Sequence, residues 1–261
     1  MFGKRGQVTI FVIVGVLIVS GITLFFLYRA NLIPQIGGRG ETNVNAFLNS
    51  CLEEKTKEAV RELSIRGGDL NPELSINFLF TDEKVYRNIS YLCYTQNNLV
   101  PCVAQKPAII LDMQNGIKKY ISDEAESCFK QMLSDFERHG FDVSSNSELR
   151  SFDVKLMPKK VLIQTNSEAT LTKSGETTTQ KNFEVAVPSR VYELLGVAQE
   201  IINGEAQFCH FEDTGFEVAY PEFSIDKFNV ESGDYIYTIG NVDSGEKFRF
   251  AVRSCGIPAG L

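Results

Sequence analysis

Six cysteines, at positions 51, 93, 102, 128, 209 and 255, carry most of the reactive chemistry open to this chain. In a reducing compartment such residues serve as metal ligands or nucleophiles, whereas an even number in an oxidising compartment reads as a set of disulfides. The metal reading has little to draw on. No C-x-x-C occurs, there are only 2 histidines, and of these only His210 adjoins a cysteine, so no metal and no cofactor are expected. Cys51, Cys93, Cys102, Cys128, Cys209 and Cys255 are therefore disulfide candidates. Cys93 and Cys102 bracket the turn-rich segment Tyr-Thr-Gln-Asn-Asn-Leu-Val-Pro, a short loop that costs little chain entropy to close. Cys51 and Cys128 each fall on the apolar stripe of an expected helix and can meet in one core, which leaves Cys209 with Cys255.

Other reactive groups are sparse. Cys209-His210 has the composition of a nucleophile and base, but read as neighbours on a strand they point to opposite faces and cannot hydrogen-bond. His139 precedes Gly140 at an expected helix end, where an imidazolium suits the negative end of the helix dipole. The acidic groups Asp123-Glu124-Glu126 and Glu212-Asp213 lack the D-x-D-x-D-G loop that wraps calcium. G-x-G-x-x-G, the P-loop, H-E-x-x-H and G-x-S-x-G are all absent, so the sequence offers no catalytic residue and predicts a non-enzyme. Lys plus Arg total 26 against 33 Asp plus Glu, a net charge of −7, and no basic cluster lies beyond the first residues. Nucleic acid is not an expected partner.

The elements that position these residues read as an α+β protein. Residues 29–42 contain Pro34, Gly37, Gly38 and Gly40 and read as a linker. Region 43–150 is a helix, a hairpin and a second helix. Val44, Phe47, Leu48, Cys51, Leu52, Val60 and Leu63 mark the first helix, stopped by Gly67-Gly68. Leu74–Phe80 and Val85–Tyr94 form the hairpin. The second helix runs from Gln114 to His139. Asn88-Ile89-Ser90 in the hairpin is an N-x-S sequon, which makes Asn88 a glycosylation candidate. Region 151–261 is mainly antiparallel β. Strands are expected at Phe152–Leu156, Val161–Thr165, Ala169–Lys173 and Asn182–Val187, with a turn at Lys173-Ser174-Gly175-Glu176. A helix from Pro188-Ser189 to Asn203-Gly204 interrupts them. Further strands are expected at Ala206–Phe211, Phe216–Tyr220, Tyr235–Ile239 and Lys247–Val252.

Ahead of all this, Gln7 to Tyr28 is an apolar run without one charged side chain. A helix of roughly 20 apolar residues spans a bilayer, and no A-x-A cleavage pattern ends the run, so it reads as a retained single transmembrane helix. Lys4 and Arg5 before it, against Arg29 alone just after it, leave residues 1–6 in the cytoplasm and everything after residue 28 outside. The expected locale is the cell membrane, with the lipid bilayer as first partner. The junction Gly3-Lys4-Arg5-Gly6-Gln7-Val8-Thr9 resembles the class III signal of archaeal type IV pilins and archaellins. That resemblance implies cleavage between Gly6 and Gln7 with retention of the apolar helix. Phe11 stands where such pilins commonly carry Glu. The body resembles in layout the uncharacterised membrane-anchored proteins of archaea. The reading as a whole is a disulfide-stabilised, non-enzymatic cell-surface protein acting in adhesion, envelope interaction or surface-structure assembly, with a second copy or another envelope protein as partner. The alternative is a tethered ligand-binding module or an accessory subunit of an envelope complex.

Overall fold

The apolar residues from Val44 to Leu63 do form a helix, α1 (Val44–Ser64), which buries Leu48, Leu52, Ala59, Val60 and Leu63. Gly67 ends it at φ 75°. A side chain there would meet the left-handed penalty, and its Cβ would lie 2.8 Å from the Cβ of Ser90. The chain divides into two units, residues 1–42 and 43–261. In the computed structural model the described residues are 15, 16, 18–20, 44–81, 83–144, 148–231 and 233–256. Within the first unit, residues 15, 16 and 18–20 are helical and exposed. The rest of the expected membrane segment, the Gly6-Gln7 junction and the linker lie outside the described residues. Among the described residues no helix is long and apolar enough to cross a membrane.

The second unit is α+β with mainly antiparallel sheets. Its second helix, α2 (Ile109–Arg138), starts before the expected Gln114. Ile109 and Met113 carry the buried stripe of Ile117, Ile121 and Ala125 upstream in steps of four, so packing extends the helix past the point where its polar residues blur the pattern. The helix ends at His139 as expected. Three contacts show that α1 and α2 run antiparallel: Cys51 with Cys128, Glu58 with Tyr120 and Leu63 over Gly116.

The first sheet has six strands. The hairpin β1 (Ser75–Phe78) and β2 (Arg87–Tyr94) forms as expected, and the two-residue β3 (Val103–Ala104) takes the remainder of the same β2 edge. On the other edge β11 (Lys247–Arg253) runs parallel to β2, and β10 (Asp234–Asn241) and β9 (Phe223–Glu231) follow antiparallel. The second sheet is built on β6 (Lys160–Lys173), with β5 (Glu148–Met157) and β4 (Asp142–Val143) pairing with it in turn, as do β8 (Glu184–Pro188) and β7 (Glu176–Lys181). Buried residues alternate along β6, with Val161, Ile163, Ala169 and Leu171 turned to the core. One apolar cluster runs from α1 and α2 through both sheets, so regions 43–150 and 151–261 share a core.

Three expectations are corrected. The strands at 161–165 and 169–173 are one strand, β6, because polar Asn166 to Glu168 alternates in register rather than turning. The strand expected at Ala206–Phe211 is instead the end of helix α3 (Val191–Phe208), which continues through Asn203-Gly204 and stops at Cys209, φ 55°. Gly204 does not end the helix. It lets the chain fold back, since a Cβ there would sit 3.1 Å from the His210 carbonyl oxygen. The strand expected at Phe216–Tyr220 is a short helix, α4 (Asp213–Ala219), which gathers the rings of Phe211, Phe216 and Tyr220, with Phe216 and Tyr220 centred 4.7 Å apart. Alternating aromatics over so few residues fit either periodicity.

Candidate functional site

Four connections converge at one end of the core: the C-terminal turn of α1, the β5–β6 turn, the β8–α3 junction and the β10–β11 turn. Between them lies a cleft of about 590 Å³, within the size range of small-molecule sites. Its floor is apolar, formed by Val60, Ile65, Val187, Val191 and Leu194, and its rim carries Lys57, Arg61, Lys159, Arg190 and Lys247. One carboxylate, Glu246, stands among these five cations, and its oxygens are occupied. One accepts from the Ser189 hydroxyl at 2.7 Å and the other from the Arg190 backbone N–H at 2.5 Å, so Glu246 caps the start of α3, where the helix dipole favours an anion.

Local sequence explains how the rim is held. Lys159 sits at φ 65° behind Pro158, at a turn position that favours Gly or Asn, and its N–H donates to Glu193 Oε1 at 3.0 Å. Lys57 is drawn to Glu53 at 2.6 Å, and that hydrogen bond raises its pKa. Arg190 reaches Glu193 at 3.5 Å. Arg61, Lys159 and Lys247 have no such carboxylate partner among the described residues. On the wall, Ser64 is 2% exposed and its hydroxyl has no hydrogen-bond partner.

Two buried acid networks lie elsewhere in the first sheet. Glu205 of α3, fully buried, accepts from Lys227 Nζ at 3.0 Å and from the Tyr237 hydroxyl, while its second oxygen has no partner. Burial first, then the charge of Glu205, pushes the Tyr237 phenol far up. Asp234 accepts from the Tyr91 hydroxyl at 2.9 Å and from Arg253 at 2.5 Å. Burial and then Asp234 raise Tyr91 in the same way. Both phenols stay protonated as donors, a role that fastens helix to sheet and strand to strand.

The cysteines pair as Cys51–Cys128, Cys93–Cys102 and Cys209–Cys255, with Cα separations of 6.0, 5.3 and 5.7 Å, all inside the usual disulfide range. Cys51, Cys128 and Glu124 bring potential metal-ligand atoms within 4.8 Å of one another, but both sulfurs are bonded to each other and supply no thiolate. Cys209 is likewise bonded, at a helix C-cap rather than on a strand. His139 Nδ1 lies 2.7 Å from the Asp135 carbonyl oxygen, and His210 lies 3.6 Å from Glu212. Of the acidic groups, Glu126 is paired with Lys130 at 2.6 Å. Asn88 is exposed, its Oδ1 accepting from Asn77 at 2.9 Å, whereas Ser90 of the sequon is buried.

Sequence reasoning missed the cleft, whose cations come from distant segments, and it missed Glu205, one Glu among many on an amphipathic helix. Placing Glu205 on the buried stripe with Ile201, Ile202 and Ala198 was the one signal that could have found it. Compared with family models, with characterised proteins and with solved structures, the chain matches none.

Proposed function

We propose that this chain is a membrane-tethered, disulfide-stabilised body displayed outside the cell, acting without catalysis in adhesion, envelope interaction or surface-structure assembly. The observation that carries this reading is that every cysteine is paired and none is free, the state stable in an oxidising compartment. The apolar run at Gln7–Tyr28 with Lys4 and Arg5 before it supplies the tether, and the Gly6-Gln7 junction is the proposed point of pilin-like leader removal. The partners are the lipid bilayer and either a second copy or another envelope protein.

Intact mass and N-terminal sequencing of protein from native membranes, with and without thiol alkylation, test this directly. A chain beginning at Gln7 with no alkylatable thiol is the expected result. A chain that keeps Met1 reduces the N-terminus to an ordinary tether, and six alkylatable thiols overturn the topology.

A second reading, a tethered ligand-binding module, draws on the apolar cleft with its excess of cations.

A further inference from the structure

We propose that the cleft at the end of α1 binds an amphiphilic anion, with an alkyl tail on the apolar floor and a phosphate or carboxylate head among Arg61, Lys159 and Lys247. This deepens the ligand-binding reading and rests on the folded body, independently of leader processing.

Charge is the first argument. Five cations and one carboxylate line the cleft, and with Glu53 and Glu193, which pair with Lys57 and Arg190, the excess is still +2, on a chain whose net charge is −7. Like charges gathered on one wall repel, and these carboxylates relieve only part of it. Glu53 holds Lys57 at 2.6 Å and Glu193 holds Arg190 at 3.5 Å, while Glu246 is committed to the start of α3. Lys159 and Lys247 have no carboxylate within ion-pair distance among the described residues, and Arg61 feels Glu58 through space without a direct ion pair, so these three are the cations that an incoming anion completes. A guanidinium and two ammoniums provide the donors that phosphate and carboxylate oxygens accept.

Chemistry beneath the rim is the second. The apolar floor excludes a bare inorganic anion as the full occupant, because such an ion leaves that surface wet. A neutral hydrophobe leaves the cations uncompensated. An amphiphile satisfies both, and the mix of apolar wall with a few convergent polar groups is that of a small-molecule site.

The test uses the full chain in zwitterionic nanodiscs, with empty discs as reference, titrated by ligand-observed NMR with octyl phosphate, octanol and inorganic phosphate. Octyl phosphate is expected to bind at least tenfold tighter than either of the others. The double variant Arg61→Glu/Lys247→Glu is expected to lose at least tenfold in octyl phosphate affinity with an unchanged melting temperature. If reversal lowers the melting temperature, Arg61→Gln/Lys247→Gln removes the charge more gently and must still weaken binding. Equal binding of octanol marks a merely greasy groove, equal binding of inorganic phosphate marks a surface anion site, and unchanged affinity in the variants places the ligand elsewhere. Each of these overturns the proposal. Leader cleavage and thiol status are read by mass, so the tether reading and the cleft can fail separately.

Discussion

Glu205 is a charge that the fold has removed from water, and its partners decide whether that is tolerable. Lys227 at 3.0 Å and the Tyr237 hydroxyl offset part of the desolvation, yet one carboxylate oxygen stays unpartnered. Truncation by Glu205→Ala strands the half-buried Lys227 ammonium and frees the Tyr237 hydroxyl. The expected cost is about 3 to 5 kcal/mol, read as a lower urea midpoint at unchanged slope; a loss below about 1 kcal/mol shows the pair to be energetically idle. The two buried phenols make a separate claim about pH. Their folded pKa values lie above the unfolded ones, so their contribution is complete below about pH 10 and declines above it as only the unfolded phenols ionise. Between pH 9 and pH 10.5 each should account for a loss of about 0.8 kcal/mol. Urea unfolding of Tyr91→Phe/Tyr237→Phe at both values should show that alkaline loss reduced, and an identical loss in variant and parent removes the phenols from the account.

Helices and strands in this body are held by cross-links whose worth follows from the loops they close. Cys51–Cys128 spans 77 residues and Cys93–Cys102 only 9, which in the chain-entropy account corresponds to about 4.5 and about 2.6 kcal/mol. Replacing each pair with alanines should therefore destabilise the α1–α2 link more than the β2–β3 loop, by urea unfolding of both double variants. The reverse order implies that the denatured chain already holds α1 against α2. These same pairs show what the sequence made legible. Cys51 and Cys128 could be matched because each lay on an apolar stripe, and Cys93 with Cys102 because the loop between them was short. The segment from Ala206 to Tyr220 could not be read, since aromatics spaced over so few residues suit both periods, and only the fold shows Gly204 serving a close approach. β7, with every residue exposed, has no hydrophobic pattern to read at all. It is held by its β6 ladder and by threonine pairs such as Thr172 with Thr177 at 2.9 Å.

At the scale of the whole body, the continuous core sets how it unfolds. Residues 43–261 form one unit, and a single apolar cluster passes from α1 and α2 through β6 to β10 and β11. The polar connections cross in the same way. Ser189 and Arg190, at the end of the β8 strand, are fixed by Glu246 of the β10–β11 turn, and Ser254 after β11 donates to the Glu205 carbonyl of α3 at 3.1 Å. Helices α1 and α3 each pack on strands of both sheets, α1 on β8 and β11 and α3 on β11 and β5, so the sheets share the burial of those helices. Single domains above roughly 150 residues often unfold in steps, but here one apolar cluster joins both sheets through the helices between them, so the body should lose near-ultraviolet ellipticity and far-ultraviolet ellipticity in one coincident transition. Hydrogen exchange gives the sharper comparison. Amides in β6 and in β10, strands paired on both edges in the two sheets, should open with the same free energy and the same urea dependence. If β6 opens at distinctly lower free energy than β10, the sheets are separate cooperative units, and the cleft between their connections would then widen before the body unfolds.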